Sequence, residues 1–401
     1  SYAELWSAAA GLARALRREG LQGGDVVAIA GQKSFGLVVC MSAVLHAGGV
    51  MLTVDVNLPA ERQRLLLREA RVKRLLYLGA LQPEDDWMSA SVALTLVDPE
   101  YGTIASAEHA ANDEIELPPI TADDPAYIFF TSGTTGVPKG ILGCHKGLNH
   151  FLAWQRETFA IDSQDRVAQL TALSFDPLLR DVFLPFTSGA TLCLPGKDDE
   201  LEPASVWSWL ATETISVLHT VPSRAQSWLA DALPRLEFPH LRMTFFAGEP
   251  LLGSLVNRWR ALTTSEIINL YGPTETTMAK CFYRVPADVS PGVQPAGQPL
   301  PQTQALVLNP YGNLCGIGEP GEIVIRTPSR TLGYLNASSE TRASFRKNPF
   351  RDDDADWLYC TGDSGRYRPD GSLEIGSRLD DQVKINGVRV EPAEVTAVLA
   401  Q

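Results

Sequence analysis

Between residues 26 and 270 short apolar runs alternate with amphipathic stretches, and this rhythm restricts the fold more than any other feature of the chain. Val26–Ala30 is expected to be a strand, Ser34–Ala47 a helix and Val50–Val54 a second strand. Pro59–Ala70 then reads as a helix with proline near its first turn, and Arg74–Leu78 as a strand. The pattern resumes with a strand at Ala126–Phe130 and a helix near Gly147–Phe159. Further strands are expected at Val167–Leu170, Ser216–Thr220, Met243–Ala247 and Glu266–Leu270, mostly separated by helices such as Pro222–Leu233. Strands alternating with helices pair in parallel, with the helices covering the sheet. After Tyr283 the pattern breaks. Pro286–Pro301 holds five prolines and few apolar residues, as a connecting stretch does. Beyond it, Gln304–Leu308, Gly321–Arg326, Trp357–Thr361 and Ser372–Ile375 are short strands broken by Gly and Pro, expected to form a small antiparallel or barrel-like unit.

The 401 residues suffice for two or three domain-sized units. A net charge of −13 argues against a broad nucleic-acid or anionic-membrane surface, because such partners need basic patches. The six cysteines are scattered, with no CxxC pair, so they read as free core thiols of a cytoplasmic protein rather than a metal cage. No apolar run is long enough to span a bilayer. The run Asp352, Asp353, Asp354, Asp356 reads as a solvated turn. The chain opens on Ser rather than Met, from which a segment of a longer polypeptide is expected.

The strongest local signal is YIFFTSGTTGVPKG at Tyr127–Gly140. An apolar strand ends in a loop of Thr131, Ser132, Gly133, Thr134, Thr135 and Gly136, followed by Pro138, Lys139 and Gly140. Glycines let a backbone approach an anion closely, and successive N–H groups then form an anion-binding concavity. The hydroxyls add donors and Lys139 a positive charge. The spacing does not fit a Walker A loop.

TSGTTGVPKG resembles the phosphate-binding loop of the adenylate-forming superfamily, which includes acyl-CoA synthetases, luciferases and the adenylation domains of nonribosomal peptide synthetases. The resemblance runs almost end to end and in order. It takes in SYAEL (Ser1–Leu5), AVLHAGGVMLTVDVNLP (Ala43–Pro59), NLYGPTETT (Asn269–Thr277), YCTGDSGRY (Tyr359–Tyr367) and GSRLDDQVKINGVRVEP (Gly376–Pro392). It implies two helix-covered sheets over residues 1–285 and a small β-barrel over 286–376. A hinge would follow at 377–381, and the start of a C-terminal lobe at 382–401. It further implies ATP and Mg²⁺ as cofactors, with Lys139, Thr274, Glu275 and Arg378 as catalytic residues. Glu275 would hold the metal, Thr274 would serve the phosphates, Tyr271 would lie against adenine, and Asp363 would accept hydrogen bonds from the ribose hydroxyls. Asp380 would be the hinge about which the small lobe turns. The reaction is attack of a carboxylate on the α-phosphorus of ATP with loss of pyrophosphate, where charge neutralisation and positioning do most of the catalysis.

ALSFDPLLRDVFLPFTSGATL (Ala172–Leu192) resembles the start of the family's acid pocket, in which the Asp after Phe pairs with an amino-acid ammonium; here it is Asp176. A carboxylate withdrawn from water selects a cation. An Asp capping the helix that starts at Pro177 is the alternative. Flanking motifs place the other pocket positions at Pro177, Arg180, His219, Phe245, Ala247, Leu270, Met278 and Ala279. Arg180 and His219 could receive a polar or acidic side chain, or Arg180 could pair with Asp176 across one helical turn.

The expectation is therefore activation of an amino acid as its aminoacyl-AMP. Transfer to the phosphopantetheine of a peptidyl carrier protein follows, beside neighbouring synthetase domains, with a small accessory protein among the candidate partners. A stand-alone acyl- or aryl-CoA ligase and a catalytically silent nucleotide-binding platform are the alternatives. Gln401 ends the sequence early in the family's C-terminal lobe, before the late lysine that bridges acid and α-phosphate. The lobe could be trimmed, disordered or separated by an inserted domain, and this chain alone is expected to adenylate poorly. Ser377 stands where the family has Gly before the hinge motif.

Overall fold

A computed structural model describes residues 1–79, 92–104, 115–133, 138–196, 203–230, 238–336, 338–385 and 387–399. The chain divides into two compact units: Ser1–Phe130 with Gly140–Lys146 and Ala172–Phe175, and Thr131–Lys139 with Gly147–Thr171 and Asp176–Gln401.

The first unit is a sheet in the order β6-β5-β2-β1-β3-β4. Its strands are β1 (Val26–Gly31), β2 (Val50–Val54), β3 (Arg74–Leu78), β4 (Ala93–Val97), β5 (Pro125–Thr131) and β6 (Lys139–Cys144). The pairs β1–β2, β1–β3, β2–β5 and β3–β4 are parallel, as the alternation requires. All of β2 is buried, which is why it reads as an apolar run broken only by Thr53, whose hydroxyl donates to the Leu173 carbonyl. Helices α1 (Tyr2–Arg18), α2 (Phe35–His46) and α3 (Ala60–Glu69) complete the unit. Ser1 and Glu4 form a capping box at the start of α1, and α1 packs against α2. Tyr127 fills the core against Gly143, where an added Cβ would fall 1.9 Å from the ring. Only glycine fits there.

In the second unit α4 (His145–Thr158) leads to a seven-stranded sheet in the order β13-β12-β11-β10-β9-β7-β8. The strands are β7 (Arg166–Ala168), β8 (Thr191–Cys193), β9 (Val217–Thr220), β10 (Met243–Ala247), β11 (Glu266–Tyr271), β12 (Cys281–Arg284) and β13 (Gln298–Pro299). The strands from β7 to β11 are parallel, and antiparallel β12 and β13 close one edge. The intervening helices are α5 (Pro177–Ser188), α6 (Pro203–Thr212), α7 (Pro222–Ala230) and α8 (Gly253–Arg260). Trp207, Trp228 and Trp259 form the centre of its core. Two of the indole N–H groups are paired: Trp207 donates to the Trp228 carbonyl (2.9 Å) and Trp259 to the Thr244 hydroxyl (3.1 Å).

An antiparallel sheet follows, β14 (Gln304–Leu308), β15 (Gly321–Arg326), β17 (Phe345–Lys347), β18 (Trp357–Tyr367) and β19 (Leu373–Arg378), with the short strand β16 (Gly333–Tyr334) and helix α9 (Ser338–Ser344) between. The hairpin β20 (Val383–Ile385) and β21 (Val388–Val390) and helix α10 (Pro392–Leu399) end the chain. Strand β18 runs six residues beyond the expected Thr361, because Gly362 at φ 70° and a bulge between Asp363 and Gly365 carry the ladder through the TGDSG stretch. The acidic run is not uniformly solvated. Asp356 is buried, and both its oxygens accept from Arg326 Nε at 2.8 Å. The six cysteines are free, five of them buried.

Candidate active site

Parallel strands of one sheet end together, so their last residues gather at one edge. In the second unit His219 pairs with Phe245, and Ala247 with Leu270, across β9, β10 and β11. Residues two apart on a strand share a face, which places Phe245 with Ala247. His219 stacks on Phe245 with ring centroids 4.7 Å apart. Beyond β11 the chain turns through Gly272 into a 3₁₀ turn at Thr274–Thr276. A Cβ on Gly272 would meet the Met278 carbonyl at 2.4 Å. Thr277 (φ 67°) and Met278 (φ 54°) are both left-handed, on the order of 1–3 kcal/mol of strain each. That strain turns the Met278 N–H toward Asp176.

Asp176 stands at the N-cap of α5, but its carboxylate makes no capping bond. It accepts instead from the Thr274 hydroxyl (3.1 Å) and the Met278 N–H (3.3 Å). Withdrawal from water pushes its pKa up to about 6, against the downward pull of those two donors and of Arg180. The helix-cap alternative is thus not what the side chain does.

Arg180 does not pair with Asp176 either. Its Nε and Nη2 contact Asp181 Oδ1 at 3.1 and 3.0 Å. Asp181, wholly buried, also accepts from the Thr171 hydroxyl at 2.6 Å, and His219 Nδ1 lies 3.5 Å from it. On the far side of the ring, His219 Nε2 meets the Gln155 amide at 2.7 Å. Burial, and then the Arg180 charge, hold the imidazole well below its ordinary pKa, so it is neutral. Pro177 opens α5, and Leu270, Met278 and Ala279 are buried in the same unit. Sequence reasoning singled out Arg180 and His219 but missed Asp181, Thr171 and Gln155, which hold them. A buried charge needs a partner, and the adjacent Asp181 was the available signal.

Glu275 is fully buried. Its Oε1 accepts from Arg389 Nη1 (2.8 Å) and from the Tyr334 hydroxyl (2.7 Å), whereas Oε2 has no hydrogen-bond partner among the described residues. Burial alone would raise this carboxyl; the Arg389 charge and the Tyr334 hydroxyl outweigh it and hold it below its ordinary value. A bare, ionised carboxylate oxygen suits a hard cation completed by phosphate oxygens. Among the described residues no group of three or more His, Cys, Asp or Glu could hold a metal, so an all-protein cage is not what this site offers.

Of the phosphate-loop candidates, Thr134, Thr135 and Gly136 lie outside the described residues. The Thr131 hydroxyl is buried with no hydrogen-bond partner among the described residues, and Ser132 donates to the Arg389 carbonyl at 3.0 Å. Gly133 is buried, and Lys139 Nζ lies 5.7 Å from the Tyr334 ring centroid. The ribose candidates form a chain: Asp363 Oδ2 accepts from the Tyr271 hydroxyl (2.7 Å), and Oδ1 from Arg378 Nη1 (2.9 Å). Arg378 also donates through Nε to Asp380 Oδ1 at 2.8 Å, which fixes the hinge candidate onto the same group. Glu249 was not foreseen. It accepts from Ser223 N–H (2.7 Å) and from Gly387 N–H (2.5 Å), tying the β20–β21 turn to the C-terminal end of β10.

The AMP-binding enzyme family matches residues 1–335. Tyrocidine synthase 3 of Brevibacillus parabrevis is 34% identical over 401 residues, covering all of this chain and 6% of its own length. The L-2-aminoadipate reductase large subunit of Eremothecium gossypii is 32% identical over 446 residues, covering 97% of this chain and 31% of its own. The chain thus spans less than a third of these relatives. A solved structure of an NRPS protein containing adenylation and PCP domains, bound to a vinylsulfonamide inhibitor, superposes with a TM-score of 0.87 at 27% identity, over all of this chain and 68% of that one. The chain belongs to the AMP-binding enzyme family, as an adenylate-forming domain similar to those of nonribosomal peptide synthetases.

Proposed function

We propose that this domain activates an amino acid as its aminoacyl-AMP and passes it to the phosphopantetheine thiol of a carrier domain. The observation that carries the reading is Asp176, a carboxylate withdrawn from water and aimed by Thr274 and the Met278 N–H rather than by its own helix. A substrate ammonium is the partner such a group lacks. The substrate carboxylate attacks the α-phosphorus, the new P–O bond forms as the bond to pyrophosphate breaks, and no covalent enzyme intermediate is needed. Thr131, Ser132, Gly133 and Lys139 bind the phosphates, while Asp363, oriented by Tyr271 and Arg378, takes the ribose hydroxyls. Glu275 would hold Mg²⁺ through Oε2, and the ion would neutralise charge developing on the leaving pyrophosphate. The carrier and neighbouring synthetase domains are supported by the relatives, among them a structure that joins adenylation and PCP domains.

The buried Arg180–Asp181–His219 cluster suits an amino acid with a polar or acidic side chain. Arg180 meets Asp181 through Nε and Nη2, and neutral His219 can share its Nδ1 proton. One relative is named for a reductase of L-2-aminoadipate, an amino acid of that class. Pyrophosphate exchange on the full-length protein, screened over amino acids, aryl acids and keto acids, tests both levels. Activation of a polar or acidic amino acid is expected. Exchange with non-amino acids alone would overturn the reading of Asp176, and a preference for apolar side chains that of Arg180.

The ammonium requires ionised Asp176. Because its pKa is raised to about 6, that form is complete well above pH 6 and is lost as the pH falls through it. Amino-acid kcat/KM, which reports free-enzyme ionisation, is therefore expected to fall about tenfold from pH 7 to pH 5. KM for ATP should not follow the same curve; a flat amino-acid profile between pH 5 and 7 would contradict this assignment.

A further inference from the structure

Tyr334 lies outside every motif that the sequence singles out, yet it touches two of the candidate catalytic groups. Its hydroxyl donates to Glu275 Oε1 at 2.7 Å, and its ring lies 5.7 Å from the Lys139 ammonium, within cation–π range. Its backbone is fixed as closely as its side chain. The Tyr334 N–H donates to Thr341 Oγ1 at 3.0 Å, and Gly333 sits at φ 113°, where an added Cβ would lie 2.6 Å from Thr341 Cγ2. We propose that Tyr334 is a positioning residue for the metal-binding step: it pins one oxygen of Glu275, leaves Oε2 as the metal-binding atom, and ties that carboxylate to the lysine of the phosphate loop.

Two donors share Glu275 Oε1, but they differ in what they tolerate. The Arg389 guanidinium carries a charge that repels a divalent cation on the same carboxylate. The phenol is neutral and can stay while the other oxygen takes the ion. A carboxylate with one oxygen held has lost most of its freedom to rotate, so the entropic cost of ordering it is already met before ATP arrives. The inference rests on the adenylation reading for its metal, but not on the identity of the acid.

The test measures ATP binding to the full-length protein by calorimetry, with Mg²⁺ and with EDTA, for wild type, Tyr334→Phe and Tyr334→Met. The ratio of the two dissociation constants is the metal's contribution. Phe keeps the ring and removes only the hydroxyl, so about a tenfold loss of the Mg²⁺-dependent tightening is expected, with EDTA affinity little changed. Met removes the ring as well and is expected to weaken metal-free ATP binding too, through Lys139. In pyrophosphate exchange the half-saturating Mg²⁺ should rise by the same factor while the amino-acid KM stays. Wild-type tightening in whichever variant keeps its melting midpoint overturns the proposal, as does wild-type protein whose ATP affinity ignores Mg²⁺. Metal-tightened ATP binding without exchange on any acid would instead sink the adenylation reading and leave the Tyr334 comparison intact.

Discussion

Asp176→Ala is expected to remove amino-acid-dependent pyrophosphate exchange, with kcat/KM for the amino acid falling roughly 10²- to 10³-fold. The size follows from stranding a buried ammonium without its counter-charge, about 3–5 kcal/mol. The carboxylate that Thr274 and the Met278 N–H now share would be gone, and no other described carboxylate is within hydrogen-bonding reach of those two donors. Asp176→Asn keeps the shape and separates charge from packing; it should lose nearly as much. ATP affinity should change little in either variant, because none of the phosphate or ribose candidates touches Asp176 except through Thr274. Equal losses for ATP and amino acid would mean that the α5 start had collapsed, and an unchanged kcat/KM would mean that the ammonium sits elsewhere.

Glu275→Gln should be the more damaging change for the chemical step. The amide cannot supply the anionic oxygen that a hard cation requires, and Lewis-acid stabilisation is worth several kcal/mol, so a fall in kcat of about 10³-fold or more is expected. Arg389 would lose the charge of its nearest carboxylate, leaving Glu391 at 3.9 Å as the next one among the described residues. Raising Mg²⁺ should not restore the rate, which distinguishes this variant from Tyr334→Phe, where higher Mg²⁺ should. Full exchange activity in Glu275→Gln would remove the metal assignment altogether.

The parallel sheets were legible because a strand covered on both faces is a nearly continuous apolar run, as β2 and β10 are but for Thr53 and Thr244. Helix α1 was not foreseen as a helix, although its Ser1–Glu4 capping box is a local signal for one. Of the site, the residues on quoted motifs could be named, but not their partnerships. Tyr271 with Asp363, and Glu275 with Tyr334 and Arg389, are pairs separated by 92, 59 and 114 residues. No periodicity reports such contacts. Arg180 shows the converse: a neighbour one residue away, Asp181, took the charge that helical spacing alone had assigned to Asp176.

The aromatic core of the second unit has an optical consequence. Trp154, Trp207, Trp209, Trp228 and Trp259 are all buried there, and half-buried Trp357 belongs to the same unit. Among the described residues the first unit contributes only Trp6, which is 63% exposed. Among the described residues, intrinsic emission is therefore weighted toward the unit that holds the nucleotide and acid candidates: a blue component from the interior, and a red one from exposed Trp6 that a soluble quencher can silence. Loosening of that unit during heating, or its tightening on ATP, should register as a change in the blue component, with no dye attached.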